Sequence, residues 1–157
     1  MKNIVVPVEG GILSLVTAKY AIYLAKHLEA KLFFVYVIDE KVLSDLLKVK
    51  VFVDVEAKKY EEELEVQGRR FLDKVKKMAE SKNVPCEQFI LRGVVHDQIV
   101  KKIREVNAEL LVMGNLREAL SRREIFYDEG ERIFREAHCP VVVVKSPEIV
   151  ERLYNEL

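Results

Sequence analysis

The chain has 157 residues, about one domain's length, with half of them hydrophobic and 33% charged, which excludes disorder as the main state and argues for a core under a well-solvated surface. Lys+Arg and Asp+Glu balance at 26 each, so no global basic field exists to attract nucleic acid or an anionic membrane. Met1-Lys2 leads straight into a short apolar run containing Pro7, far below the roughly 20 residues of a membrane span, and a cytoplasmic protein is expected.

Apolar β-rich runs occur at 4–8, 32–38, 86–91, 110–113 and 141–144, and each gap between them contains helical periodicity. Consecutive apolar residues, as in LFFVYVI or VVVV, mark strands buried on both faces, the condition of a parallel sheet covered by helices on each side. An α/β doubly wound, Rossmann-like domain follows, and ligands of such folds bind outside the carboxyl ends of the strands.

In chain order, Pro7 interrupts the first run and is placed at the end of its strand, because proline removes a sheet donor. Glu9 comes next and is followed by Gly10-Gly11, so its side chain belongs at the mouth of the crevice, as a functional carboxylate, a turn residue or a partner for a basic side chain. Asp39 and the loop after Gly114 occupy equivalent strand ends. The first helix is expected to begin at Ser14, acting as its cap, and carries Ala18, Ala21, Ile22, Ala25 and Leu28 at spacings of three and four.

Residues 40–55 exceed an ordinary βα loop of about 2–6 residues. Val42, Leu43, Leu46 and Leu47 suggest a short helix, and the alternation Val49, Val51, Val53, Val55 suggests a short strand. This insertion reads as a structural flap or subunit contact ahead of a lid. A helix near 56–81 places Tyr60, Leu64, Phe71, Val75 and Met78 on one stripe, with glutamates at 61, 62, 63 and 65 early and lysines at 74, 76, 77 and 82 late, an order that suits the helix dipole and reads as a solvated face. Gly68 in its interior marks a close approach to the sheet or a kink.

His96-Asp97 opens the next helix, as a polar helix start ahead of an acid/base couple, and His27 falls on an exposed helix position. Cys86 and Cys139 lack CxxC or Cys/His spacing and read as buried thiols; activation of Cys139 by His138 is the minor alternative. No Walker loop, GxSxG, HExxH or GxGxxG occurs, so no catalytic residue is assigned and no metal site is indicated. Residues 1–146 form one domain, and 147–157 form a helical tail whose Ile149, Val150, Leu153, Tyr154 and Leu157 favour docking on the domain itself. The absence of Trp and the Glu/Lys-heavy surface are similar to thermophile usage.

Several segments taken together resemble the universal stress protein family: Ile4-Val5-Val6-Pro7-Val8-Glu9-Gly10, Ala25-Lys26-His27-Leu28-Glu29-Ala30-Lys31-Leu32, Arg92-Gly93, Leu110-Leu111-Val112-Met113-Gly114, Glu131-Arg132-Ile133 and His138-Cys139-Pro140 with the four valines that follow. The resemblance covers residues 2–145 in order. It implies a five-stranded parallel sheet in order 3-2-1-4-5, a crevice between the first and fourth strands, Cys86 and Cys139 on opposite sheet edges, and a homodimer joined through the last strand, Val141, Val142, Val143 and Val144.

ATP-binding members carry G-x-x-G, nine residues, then G-[ST] after the fourth strand, so that backbone amides and a helix N-terminus meet the phosphates. Here Gly114 matches the first position, and the remaining positions fall on Arg117, Tyr127 and Asp128. Two glycines have become large residues and the hydroxyl a carboxylate, with Asp128 and Glu131 spaced as a capping box. The resemblance therefore implies a ligand crevice of Pro7, Glu9, Val37, Met113, Gly114, Arg117, Tyr127 and Asp128 that does not take ATP in the usual pose.

A binding or regulatory module is the expected function, with ATP or AMP as the candidate ligands. An adenine-nucleotide switch or weak hydrolase using Glu9 with Arg117, Arg122 or Arg123 is the alternative, and a structural interaction protein is a third reading.

Overall fold

All five apolar runs pair into one parallel sheet in the order β3-β2-β1-β4-β5. The computed structural model describes residues 2–49, 53–114 and 129–157. The elements are β1 (Lys2–Val8), α1 (Gly11–Leu28), β2 (Ala30–Asp39), α2 (Glu40–Lys48), α3 (Asp54–Ser81), β3 (Cys86–Gly93), α4 (Val95–Glu105), β4 (Leu110–Met113), α5 (Glu129–Glu136), β5 (Val141–Val143) and α6 (Pro147–Asn155). Among them no helix is long and apolar enough to cross a membrane.

The strands are apolar on both faces because each face has its own core. Leu32, Phe34, Tyr36 and Ile38 of β2 join Ile4, Val6 and Val8 of β1 beneath α1, α3 and α6, with Ile22, Leu72 and Val150 among the helix contacts. The alternate residues Phe33, Val35 and Val5 turn to the other face and meet Ile99 and Ile103 of α4 and Ile133 of α5. The period-two alternation of a strand thus divides one hydrophobic run between two layers.

Helix α1 begins at Gly11, earlier than Ser14. Gly10 and Gly11 take φ values of 94° and 83°, which side-chain-bearing residues rarely adopt, and they turn the chain into the helix early. Ser14 is therefore buried in the first turn, where its Oγ accepts the Glu9 N–H at 2.8 Å; it anchors the end of β1 rather than capping α1.

The first half of the 40–55 insertion is helical, and α2 rests on α3 and β3 with Leu43 buried. The strand expected in its second half does not form at 53–55. Val53 is the residue before α3, its N–H donates to the Glu56 carboxylate at 3.2 Å, and Asp54 and Glu56 place negative charge on the first turn. Residues 50–52 lie outside the described residues.

Helix α3 runs much as its periodicity predicts, with Gly68, Leu72, Val75 and Ala79 at the centre of the buried stripe. Its charges differ from a simple solvated face. Glu61 and Glu65 ion-pair with Arg92 at the end of β3, at 3.1 and 3.4 Å, and the last turn carries no basic residue. Gly68 is a point of close approach: a Cβ there would lie 2.7 Å from the Tyr36 ring.

The tail is docked on the domain. Helix α6 lies against α1 with Val150 buried, Lys19 Nζ pairs with Glu151 at 2.6 Å, and the Tyr154 ring sits near both Lys19 and Lys82. Cys86 and Cys139 are free thiols at opposite edges of the sheet, half-buried rather than fully buried as expected; loss of surrounding water raises the pKa of both, the direction away from thiolate, and the His138 ring contacts Arg104.

Candidate functional site

The chain reverses its winding direction at β1, because β2 lies on one side of it and β4 on the other. Such a switch point leaves an opening beyond the strand ends. The opening begins early: β1 follows β2 as far as Val8↔Tyr36, but its pairing with β4 covers only Ile4↔Leu110 and Val5↔Leu111. Pro7 comes two residues after that short ladder ends, so its missing N–H falls where β4 no longer pairs.

A cavity of about 250 Å³ lies at this end of the sheet, but on the β1–β2 side: among the described residues its lining takes nothing from β4, so it differs from the crevice between the first and fourth strands that the resemblance implies. Its floor is Pro7 with Val35 and Val37 of β2, its rim is Glu9 and Asp39, Tyr60 and Leu64 come from α3, and Val95 and Ile99 come from α4. Tyr36 also lines the cavity, with its ring packed against the bare backbone of Gly68 in α3. The lining contains two carboxylates and, among the described residues, no Lys or Arg.

Glu9 is an exposed residue whose carboxyl nevertheless sits in a recess crowded by protein atoms. The loss of surrounding water, with a smaller effect from the nearby Asp39 charge, raises its pKa from 4.5 to about 7. Its backbone is fixed by the N–H bond to Ser14. Asp39 accepts the Lys41 N–H at 3.0 Å and so also opens α2. Burial raises the Tyr36 phenol, with Glu9 and Tyr60 adding to the shift.

Of the residues expected in the crevice, Pro7, Glu9 and Val37 line this cavity. Met113 is 3% exposed and belongs to the core beneath α4 and α5. Gly114 faces α1, where an added Cβ would lie 2.4 Å from Thr17 Oγ1; its lack of a side chain lets the end of β4 approach that helix. Arg117, Tyr127 and Asp128, with Arg122 and Arg123, lie outside the described residues, as does the capping box expected from Asp128. Tyr36, Tyr60, Leu64, Val95 and Ile99 were not singled out for a site by the sequence pattern, which marks them only as apolar strand and helix positions.

A model of the universal stress protein family matches residues 1–145. The chain belongs to the universal stress protein family. A universal stress protein of Methanocaldococcus jannaschii is 37% identical over 150 residues, covering 93% of this chain and 83% of that protein. A solved universal stress protein in complex with cAMP is similar in fold, with a TM-score of 0.63 at 19% identity, covering 91% of this chain and 95% of that one. The universal stress protein from Archaeoglobus fulgidus in complex with dAMP has a TM-score of 0.65 at 17% identity, covering 92% and 98% of the two chains. Within this universal stress protein domain, the sheet order expected from the resemblance is the order observed.

Proposed function

We propose that the protein is a noncatalytic binding module that takes an adenine nucleoside or its monophosphate in the cavity beside Glu9, and that it does not bind ATP in the family's usual pose. The single observation that carries this reading is a recess of about 250 Å³ rimmed by two carboxylates with no cation in its described lining. That volume is at or below the small end of ordinary ligand pockets, about 300–1,000 Å³, and suits a base with its ribose. The carboxylates repel a triphosphate at close range while they accept hydrogen bonds from ribose hydroxyls or an exocyclic amine. The complexes of related folds with cAMP and dAMP, both monophosphates, support the same ligand class. Isothermal titration with adenosine, AMP and magnesium ATP tests it. Adenosine or AMP is expected to bind at least tenfold more tightly than ATP, and the reverse order overturns the proposal.

The same module is proposed to act as a homodimer through β5. In the sheet β5 has β4 on one side only, and Val143 is 46% exposed on that edge. Native mass spectrometry is expected to show a dimer that Val143→Lys converts to monomer.

One observation favours a second reading, weak nucleotide hydrolysis: a carboxyl with a pKa of about 7 is matched to general base work near neutral pH. Turnover in wild type that is lost in Glu9→Gln, with binding kept, would establish it in place of the first.

A further inference from the structure

We infer that His96, Asp97 and Glu136 form a site for a divalent transition-metal ion of the zinc class, on the α4–α5 face and separate from the nucleoside cavity. His96 begins the first turn of α4 and is 8% exposed. Its Nδ1 lies 2.8 Å from Glu129 Oε2, and its backbone N–H donates to the same oxygen at 2.7 Å. A carboxylate oxygen only accepts, so Nδ1 carries the hydrogen. On the other side of the ring, Arg132 Nη1 lies 3.3 Å from Nε2, and a guanidinium only donates, so Nε2 presents its lone pair.

In that tautomer Nε2 is an acceptor that a guanidinium or a metal ion can occupy in turn. Asp97 Oδ1 is 3.2 Å from Nε2. Two ligands on one tetrahedral zinc, each about 2.0–2.2 Å from the metal, stand about 3.3 Å apart. Glu136 supplies the third donor, and the three ligand atoms all lie within 4.8 Å of one another. Glu136 is also the final residue of α5, beside Arg135 in its last turn. Glu129 completes the pattern as the carboxylate that orients a ligating imidazole through its second nitrogen. One imidazole nitrogen and two carboxylate oxygens suit zinc, with a fourth position left to water. Arg132 occupies the approach to Nε2 and must swing aside when the ion enters.

The test is titration of metal-stripped protein with zinc chloride by calorimetry and with cobalt(II) by visible absorption. One zinc per chain is expected, with cobalt bands of tetrahedral intensity. Asp97→Asn and Glu136→Gln alter exposed side chains, so both variants are expected to melt like wild type without metal, and each should weaken zinc at least tenfold. Glu129→Gln should weaken it by about 10–100-fold through the imidazole. Arg132→Gln, which removes the competing cation, should strengthen it. Absence of a one-to-one zinc site in wild type overturns the inference, as does zinc binding unchanged in the Asp97→Asn, Glu136→Gln double variant; the second result would leave only a proton-bridged network between the helices.

Discussion

The Tyr36 ring fills the space where a side chain at Gly68 would begin, with an added Cβ falling 2.7 Å from Cδ1 and 2.8 Å from Cε1. Strand β2 and helix α3 are therefore locked at a distance set by the absence of one methyl group. Alanine at position 68 gains about 1 kcal/mol of helix propensity but forces a buried ring to move, at a cost of about 1–3 kcal/mol. Gly68→Ala is expected to lower the denaturation midpoint. Because Tyr36 lines the cavity, the variant should also weaken adenosine binding measured by calorimetry.

A second prediction concerns pH. The raised Glu9 pKa means that the folded protein holds this proton more tightly than the unfolded chain does. The resulting contribution to stability is complete below pH 4.5 and is lost as the pH rises through about 7. Because the residue is exposed, the full linkage value is discounted to about 1 kcal/mol. Urea denaturation of wild type and Glu9→Gln should give a gap that opens in the glutamine variant's favour between pH 5 and 8. An unchanged gap across that range would refute the assignment.

At the end of β4, Gly114 and Thr17 make a clean double-mutant pair. Gly114→Ala places its Cβ 2.4 Å from Thr17 Oγ1 and is expected to cost about 1–3 kcal/mol. Thr17→Ala removes that oxygen together with its 3.1 Å bond to Leu13 O. The double variant should be more stable than the sum of the singles predicts, and strict additivity would show that the two do not meet.

Docking of the tail gives a fourth test. Val150, on the face of α6 that meets the domain, is 3% exposed, so Val150→Ala should cost about 2 kcal/mol, measured by chemical denaturation. Lys19→Ala, which breaks the partly exposed pair with Glu151, should cost less than about 1 kcal/mol. Equal stability after removal of residues 147–157 would contradict self-docking.

The sheet was legible in the sequence because its signal is chemical and local: a run such as Leu32-Phe33-Phe34-Val35-Tyr36-Val37-Ile38 has no stable alternative to burial on both faces. The strand expected around Val53 failed because alternation records only side-chain period, and Glu56 draws the Val53 N–H into the start of a helix instead. Ser14 was misplaced because two glycines with positive φ moved the helix start. At the crevice, Glu9 was readable from its place after an apolar run, whereas Tyr60 and Leu64 join the lining only because α3 crosses back over β2. The contact between His96 and Glu129, 33 residues apart, has no local trace at all.

The shortness of the β1–β4 ladder also bears on how the molecule opens. Strand β2 has seven register pairs with β1 and eight with β3, but β1 and β4 share two, and β4 and β5 three. Local unfolding follows such seams. In native-state hydrogen exchange, the amides of β4, β5 and α5 should therefore open together as one cooperative unit while β1, β2 and β3 stay protected to the limit of global unfolding. The β1–β4 seam would then be a hinge line between a durable half of the sheet, which carries the whole described lining of the cavity, and a labile half beside it.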